Sequence, residues 1–194
     1  MGKVRSADYF REMIGMLSIP FIYVAAVYTF IYLLVRAIVS IRSKKLDWKR
    51  EKLHMLMYIN LLVIFSFTFS PLVLDTGRIF DFRVNFIPFL YLTDYDNSTH
   101  MYLNVAGNIL MFIPTGILLP VLYKRLDKAY KVVGTGFLIS LAIEILQLPF
   151  ADRASDVDDL LMNTFGVIIG YVLFRFVRSF LRAKKQSTNE ICKI

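Results

Sequence analysis

The chain has 194 residues, of which 57% are hydrophobic, and its mean hydropathy is +0.56. A single cysteine, Cys192, excludes an intramolecular disulfide and a cysteine-rich metal site. The formal net charge of +8 comes from bases that cluster beside apolar segments, which favours membrane topology signals and contacts to anionic lipid over nucleic-acid binding. Long and repeated apolar runs are typical of a multi-pass membrane protein and argue against a soluble domain.

The apolar segments predict an all-α, polytopic membrane helix bundle of about five transmembrane helices, forming one membrane domain over residues 1–194. The first segment exceeds the roughly 7–15 residues of a signal-peptide core, so it is interpreted as a retained helix. In chain order the predicted spans are approximately 13–39, 53–74, 102–123, 132–150 and 160–180.

The distribution of basic residues predicts the orientation of these spans. Segments 42–52, 124–131 and 182–194 together hold fourteen Lys and Arg, whereas the other segments outside the spans hold six. The positive-inside rule therefore places the N-terminus outside and the C-terminus inside, with 182–194 as a cytoplasmic tail. Segment 75–102 then lies outside, where alternating apolar and polar residues at 80–86 predict an extended, interfacial or partly re-entrant stretch.

Polar residues form two helical stripes on either side of an acidic loop. The first stripe steps by i, i+4 and i+7 and consists of Ser140, Glu144 and Gln147. The second steps by three or four residues and consists of Asp156, Asp159, Asn163, Gly166 and Gly170. A carboxylate among hydrocarbon is costly, so such faces point into a bundle or a wet cavity.

Taken with Asn108 on the third span, the stripes predict a polar pocket that opens outward among spans three, four and five. Gly166 and Gly170 form a GxxxG pair that lets another helix approach closely. Pro114 and Gly116, which follow Asn108, are expected to interrupt the third helix.

The charged residues of this region admit more than one role. Glu144, Asp156 and Asp159 are oxygen donors suited to Mg²⁺, Mn²⁺ or Ca²⁺, and Glu144 or Asp159 is the candidate catalytic base. Arg153 is expected to fold over Glu144 and to pair with it, with an aspartate or with an anionic head group. The alternative is purely structural, with Glu144 paired to Arg153, Asp156 as a helix N-cap and the next acidic residues at the positive end of that helix.

A histidine-based hydrolase has little support. The two histidines, His54 and His100, lie on different predicted elements, and no H-E-x-x-H motif is present.

Four motifs occur in a fixed order: NFIPF at 85–89, GNILMFIPTGILLP at 107–120, SLAIEILQ at 140–147 and RASDVDDLLMNTFG at 153–166. With this order and spacing the chain resembles the VanZ-like family of small bacterial membrane proteins. The resemblance covers about residues 80–175, and its combination of E-x-x-Q with R-x-x-D-x-x-D-x-x-x-N is fairly specific. Ala154 and Ser155 are smaller than is usual for the family. The matching residues are Asn85, Pro88, Asn108, Pro114, Gly116, Glu144, Gln147, Arg153, Asp156, Asp159, Asn163 and Gly166.

The resemblance implies a multi-pass protein of the bacterial plasma membrane and a family association with reduced susceptibility to teicoplanin-type antibiotics. The leading hypothesis is an envelope protein whose outward pocket binds an anionic lipid-linked cell-wall intermediate or a related lipid. One rival is an intramembrane enzyme that uses a carboxylate, with or without a divalent cation, on a phospho- or acyl-lipid. Another is a scaffold for other envelope proteins. The expected pocket residues are Asn85, Asn108, Glu144, Gln147, Arg153, Asp156, Asp159 and Asn163.

Overall fold

The five predicted spans are all helices that are long and apolar enough to cross a membrane. This confirms the all-α, polytopic fold. The computed structural model describes residues 19–43, 47–69, 84–85, 87–88, 98–148 and 155–191.

The connections that the structure describes between consecutive helices are short, whereas 28 residues separate the second helix from the third. A 3₁₀ turn lies at Lys124–Leu126, and two short strands, β1 (Val84–Asn85) and β2 (Ser155–Asp156), pair with each other. Strand β1 falls in the stretch predicted to be extended; most of segment 75–97 lies outside the described residues. The helices are α1 (Ile19–Ser43), α2 (Trp48–Phe69), α3 (Ser98–Leu122), α4 (Ala129–Gln147) and α5 (Val157–Ile191).

The second helix begins earlier than predicted. It starts at Trp48, five residues before the expected start at 53, so much of the basic segment 42–52 is helical and not a loop. The reason is an N-cap: the side-chain oxygen Oδ1 of Asp47 accepts the backbone N–H groups of Lys49 at 3.0 Å and Arg50 at 3.4 Å. Such a cap satisfies N–H groups that have no partner within the first turn.

The predicted third span, 102–123, is confirmed, but its expected interruption and the predicted end of the fifth span were wrong. Helix α3 continues through Pro114 and Gly116 to Leu122, because neighbouring helices and polar groups can satisfy the backbone around a proline in a membrane helix. Helix α5 continues past 180 to Ile191 and takes up most of the segment predicted as a polar tail. Residues 182–186 are favourable helix formers without glycine or proline, so nothing there ends the helix.

The contacts divide the chain into two compact units. The first covers 1–84 and 145–155 and includes α1, α2 and the last turn of α4. The second covers 85–144 and 156–194 and includes α3, most of α4 and α5. The prediction of one domain over 1–194 and the predicted orientation of the termini both stay predictions.

In the second unit, α3 and α5 form the most extensive helix pair. A Cβ atom on Gly166 would collide with the carbonyl oxygen of Ile109, and one on Gly170 with that of Ile113. Gly116 of α3 is equally restricted by the carbonyl oxygen of Val167. The predicted GxxxG pair therefore does bring two backbones together, as small residues do in membrane bundles.

Helix α4 joins this pair at the same level. The side chain of Val167 is fully buried, and a Cβ atom on Gly136 of α4 would overlap its methyl groups. Phe112 of α3 and Val132 of α4 are also fully buried. Helix α4 therefore packs against α5 at Gly136 and Val167, on the C-terminal side of the polar residues of α5.

Candidate functional site

Three carboxylates lie where α4 ends and α5 begins: Glu144, Asp156 and Asp159, called here the carboxylate cluster. Asp156 and Asp159 are on successive turns at the start of α5, and Glu144 is in the last turns of α4. The N-terminal end of a helix carries partial positive charge, which stabilises carboxylates placed there. Within the second unit, Glu144 and Ser140 of the first predicted stripe contact Asp156 and Asn163 of the second.

Asp156 has a structural role that the sequence predicted. It directly precedes α5, and its Oδ1 accepts the backbone N–H of Asp158 at 2.9 Å, which confirms the N-cap. The same oxygen accepts the side-chain amide of Asn85 at 3.1 Å. Asn85 is itself held in a turn, because its Oδ1 accepts the backbone N–H of Ile87 at 3.0 Å. Asn85 is thereby fixed against the start of α5.

Asp159 faces α3. Its Oδ1 accepts the side-chain amide of Asn108 at 2.5 Å and that of Asn104 at 3.5 Å. Asn108 was expected in the site and Asn104 was not. The signal for Asn104 was present, because it lies four residues before Asn108 and so on the same helical face.

Glu144 is 4% exposed, and its Oε2 accepts the backbone N–H of Asp156 at 3.1 Å. A buried carboxylate of α4 therefore holds the residue that caps α5. The expected pairing with Arg153 stays a prediction, because Arg153 lies outside the described residues.

Asn163 and Ser140 form a second polar contact, one turn beyond Asp159. The Asn163 amide donates to Ser140 Oγ at 2.9 Å, and both side chains are almost completely buried. Within the part of the chain that the structure describes, Asn163 Oδ1 has no hydrogen-bond partner. A buried polar atom without a partner is costly, so this oxygen is suited to accept a hydrogen bond from a water or a ligand.

Gln147 is held by a hydrogen bond within the first unit. It is buried, and its side-chain amide donates to the backbone oxygen of Thr68 in α2 at 2.7 Å. Sequence reasoning did not find Thr68, since a backbone carbonyl gives no signal in a sequence. Gln147 as a pocket residue stays a prediction.

The chemistry of the cluster is that of hydrogen-bond acceptors held in fixed positions. Ionised carboxylates only accept, and each hydrogen bond described above gives them an N–H donor. The carboxylate oxygens of Asp156 and Asp159 can also accept hydroxyl or amine groups or bind a hard cation. Among the described residues, no three His, Cys, Asp or Glu side chains lie close enough together to hold a metal ion by themselves. The divalent cation stays a prediction.

Comparison with known proteins identifies the family of the chain. A family model described as VanZ/LLP1 matches residues 55–178. The chain belongs to the VanZ/LLP1 family. The match includes all the expected pocket residues and leaves out α1 and the C-terminal turns of α5. Together with the five helices, it makes the chain a multi-pass bacterial membrane protein of the VanZ-like type.

A curated relative supports the assignment. The chain is 32% identical to Protein VanZ of Enterococcus faecium over 96 residues. That alignment covers 50% of this chain and 58% of the relative. No solved structure matches the chain.

Proposed function

We propose that this VanZ-like membrane protein binds an anionic lipid-linked cell-wall intermediate, or a related lipid, in a polar pocket formed around the carboxylate cluster. The pocket opens to the outer face of the membrane. By binding such lipids, the protein changes how much of their target is accessible to glycopeptide antibiotics at the cell surface.

The observation that carries this proposal is the fixed network of amides and carboxylates inside a membrane helix bundle. Asn85 donates a hydrogen bond to Asp156, and Asn108 donates one to Asp159, so an amide fixes each of the two carboxylates. Polar groups at membrane depth are expensive and usually mark a binding or transport path. Aspartate and asparagine held in this way are suited to bind the hydroxyl and amide groups of a sugar or peptide head group.

An anionic ligand also needs positive charge, because a phosphate beside bare carboxylates would be repelled. The chain offers two sources of positive charge. Arg153 can bind a phosphate with two parallel hydrogen bonds, and a divalent cation held by Asp156 and Asp159 can bridge to phosphate oxygens. Asn163 Oδ1 supplies an acceptor deeper in the same unit.

The buried Glu144 favours one second candidate, an intramembrane enzyme. A carboxylate that is 4% exposed is shielded from bulk water, and in its ionised form it can accept a proton from a bound substrate as a general base. The enzyme and the binding protein share the same residues and differ only in whether the lipid leaves changed.

The test is to measure binding and turnover on one preparation. Purified protein is incubated with a polyprenyl-diphosphate-linked disaccharide-peptide, with Mg²⁺ or with EDTA, and bound and released lipids are identified by mass spectrometry. We expect the intact lipid to co-purify with the protein. Release of a new product would support the enzyme, and no retention of this lipid in either buffer would contradict both.

The informative variant is Asp156→Asn, matched by Asp47→Asn. Both aspartates cap a helix, and asparagine caps almost as well as aspartate, so each change removes charge while keeping the cap. Asp156→Asn should lower lipid retention about tenfold or more, the effect expected when a hydrogen bond to a charged group is lost. Asp47→Asn should retain the lipid. Equal losses would show that the site lies elsewhere.

A further inference from the structure

A cleft lies toward the C-terminal end of α5, away from the carboxylate cluster. It has a volume of about 510 Å³ and is lined by Ile117 and Val121 of α3 and by α5 residues between 173 and 185. Its size falls within the roughly 300–1,000 Å³ of small-molecule sites. It begins about 14 residues beyond Asp159, or roughly 21 Å along the helix axis at 1.5 Å per residue.

The cleft exists because α3 and α5 have different lengths. Helix α3 ends at Leu122, whereas α5 continues to Ile191. Beyond the last turn of α3 the apolar side of α5 has no α3 residue to pack against. Most of the cleft wall is apolar, as Leu173, Val177 and Leu181 show.

Three basic residues border this apolar space. Arg178, Arg182 and Lys185 line the cleft and are spaced i, i+4 and i+7, which puts them on one face of α5. Arg178 is engaged: it forms an ion pair with Asp127, and its guanidinium lies 5.7 Å from the centre of the Phe174 ring. Arg182 and Lys185 are exposed, and no ion pair among the described residues involves them.

The cleft therefore combines an apolar interior with an excess of positive charge at one end. An occupant that fits both is amphipathic, with a hydrocarbon chain and an anionic head group. Basic pockets between transmembrane helices bind acidic lipid head groups for this reason. The ion pair of Arg178 with Asp127 fixes one edge of the cleft and leaves two charges for the ligand.

We propose that this cleft binds an anionic glycerophospholipid. The phosphate lies against Arg182 and Lys185, and an acyl chain lies along Val121, Val177 and Leu181. This site takes a bulk membrane lipid, does not use the carboxylate cluster and does not depend on the function proposed for that cluster.

The test uses fluorescence quenching by lipid. The sequence has one tryptophan, Trp48, so a Trp48→Phe/Val177→Trp protein reports on the cleft alone. It is reconstituted in phosphatidylcholine–phosphatidylglycerol vesicles in which one or the other lipid carries brominated chains. We expect brominated phosphatidylglycerol to quench more strongly at equal mole fraction. Its binding constant relative to phosphatidylcholine should be at least about five, because a single basic residue near a membrane surface attracts anionic lipid by that factor.

Two charge variants decide the assignment. Adding Arg182→Gln and Lys185→Gln should bring the relative binding constant close to one. Adding Lys124→Gln and Lys184→Gln removes the same charge from residues that do not line the cleft, and should leave the preference unchanged. Circular dichroism melting curves check that all variants are folded.

Three results would overturn the proposal. Equal quenching by both lipids would mean that the cleft takes bulk lipid without regard to charge. An equal loss in both charge variants would mean general attraction to the basic end of the protein. No quenching by either lipid would mean that a protein segment, such as a second copy of the chain, fills the cleft.

Discussion

The two helix pairs, α1 with α2 and α3 with α5, are built in different ways. Backbones approach closely at Gly166 and Gly170 in the α3/α5 pair. The α1/α2 pair instead meets through long side chains: the ring of Tyr58 stacks on those of Tyr28 and Tyr32, with centres 5.3 and 4.4 Å apart.

The helices of the two pairs also differ in how many of their residues are buried. In the span assigned to α3, 44% of residues are buried, whereas in that of α1 none are. Close backbone contact depends on the absence of side chains, so it fixes the distance between the two helices and does not tolerate a larger residue. Contact through long side chains can rearrange when one residue changes. The polar network sits on the rigid pair, which suits a site that must hold groups in fixed positions.

The largest expected effect is a loss of stability in the α3/α5 pair. Gly170→Leu places a side chain against the carbonyl oxygen of Ile113, and neither backbone can move without separating the helices. We expect a loss of unfolding free energy of about 3 kcal/mol or more, at the upper end for overpacked sites. Thermal unfolding in detergent measures it.

The control for that change is Gly134→Leu, because a Cβ atom at Gly134 meets no atom within 4 Å. It should leave the melting temperature nearly unchanged. If both variants melted like the unmodified protein, the close approach of α3 and α5 would be wrong.

A smaller effect is expected in the side-chain-mediated pair. Arg36 of α1 forms an ion pair with Glu51 of α2, and the two side chains are 18% and 28% exposed. Arg36→Gln should cost about 1–2 kcal/mol, below the roughly 3–5 kcal/mol of a fully buried pair. Arg36→Gln/Glu51→Gln should recover part of that loss. Arg42→Gln, at an exposed position of the same helix, serves as the control; additive losses in the double variant would show that the pair is not coupled.

The smallest effect on stability is expected for a substitution on the exposed face of α1. Phe30 is 66% exposed, so Phe30→Ala should change stability by no more than about 0.5 kcal/mol. Phe112→Ala, at a fully buried position of α3, should cost about 3–5 kcal/mol. A large loss for Phe30→Ala in detergent would mean that α1 is covered by another protein segment.

Much of the fold could be predicted from the sequence because membrane spans depend on local hydrophobicity. The boundaries could not, since they depend on details that hydropathy ignores. The cap at Asp47 extends α2 backwards, and favourable helix formers carry α5 to Ile191. Pro114 breaks a helix in water but not in a bundle that satisfies the surrounding backbone.

The candidate site was predictable to the level of helix faces. A period of three or four residues places Asp156, Asp159 and Asn163 on one side of α5, and the structure shows each of them bonded to another element. The partners themselves were not predictable, because Asn85 and Asp156 are 71 residues apart. Which side chains meet over such distances depends on tertiary packing, not on local pattern.

The central claim is that the carboxylate cluster binds a ligand and does not merely brace the helices. Asp159→Asn tests it most directly, because asparagine keeps the shape and an oxygen that can accept the Asn108 amide. The dissociation constant for the polyprenyl-diphosphate-linked precursor and the melting temperature are measured side by side. We predict at least about a tenfold weaker binding with a melting temperature within a few degrees of the unmodified protein. Unchanged binding together with a large drop in melting temperature would contradict the claim and leave Asp159 as a structural residue.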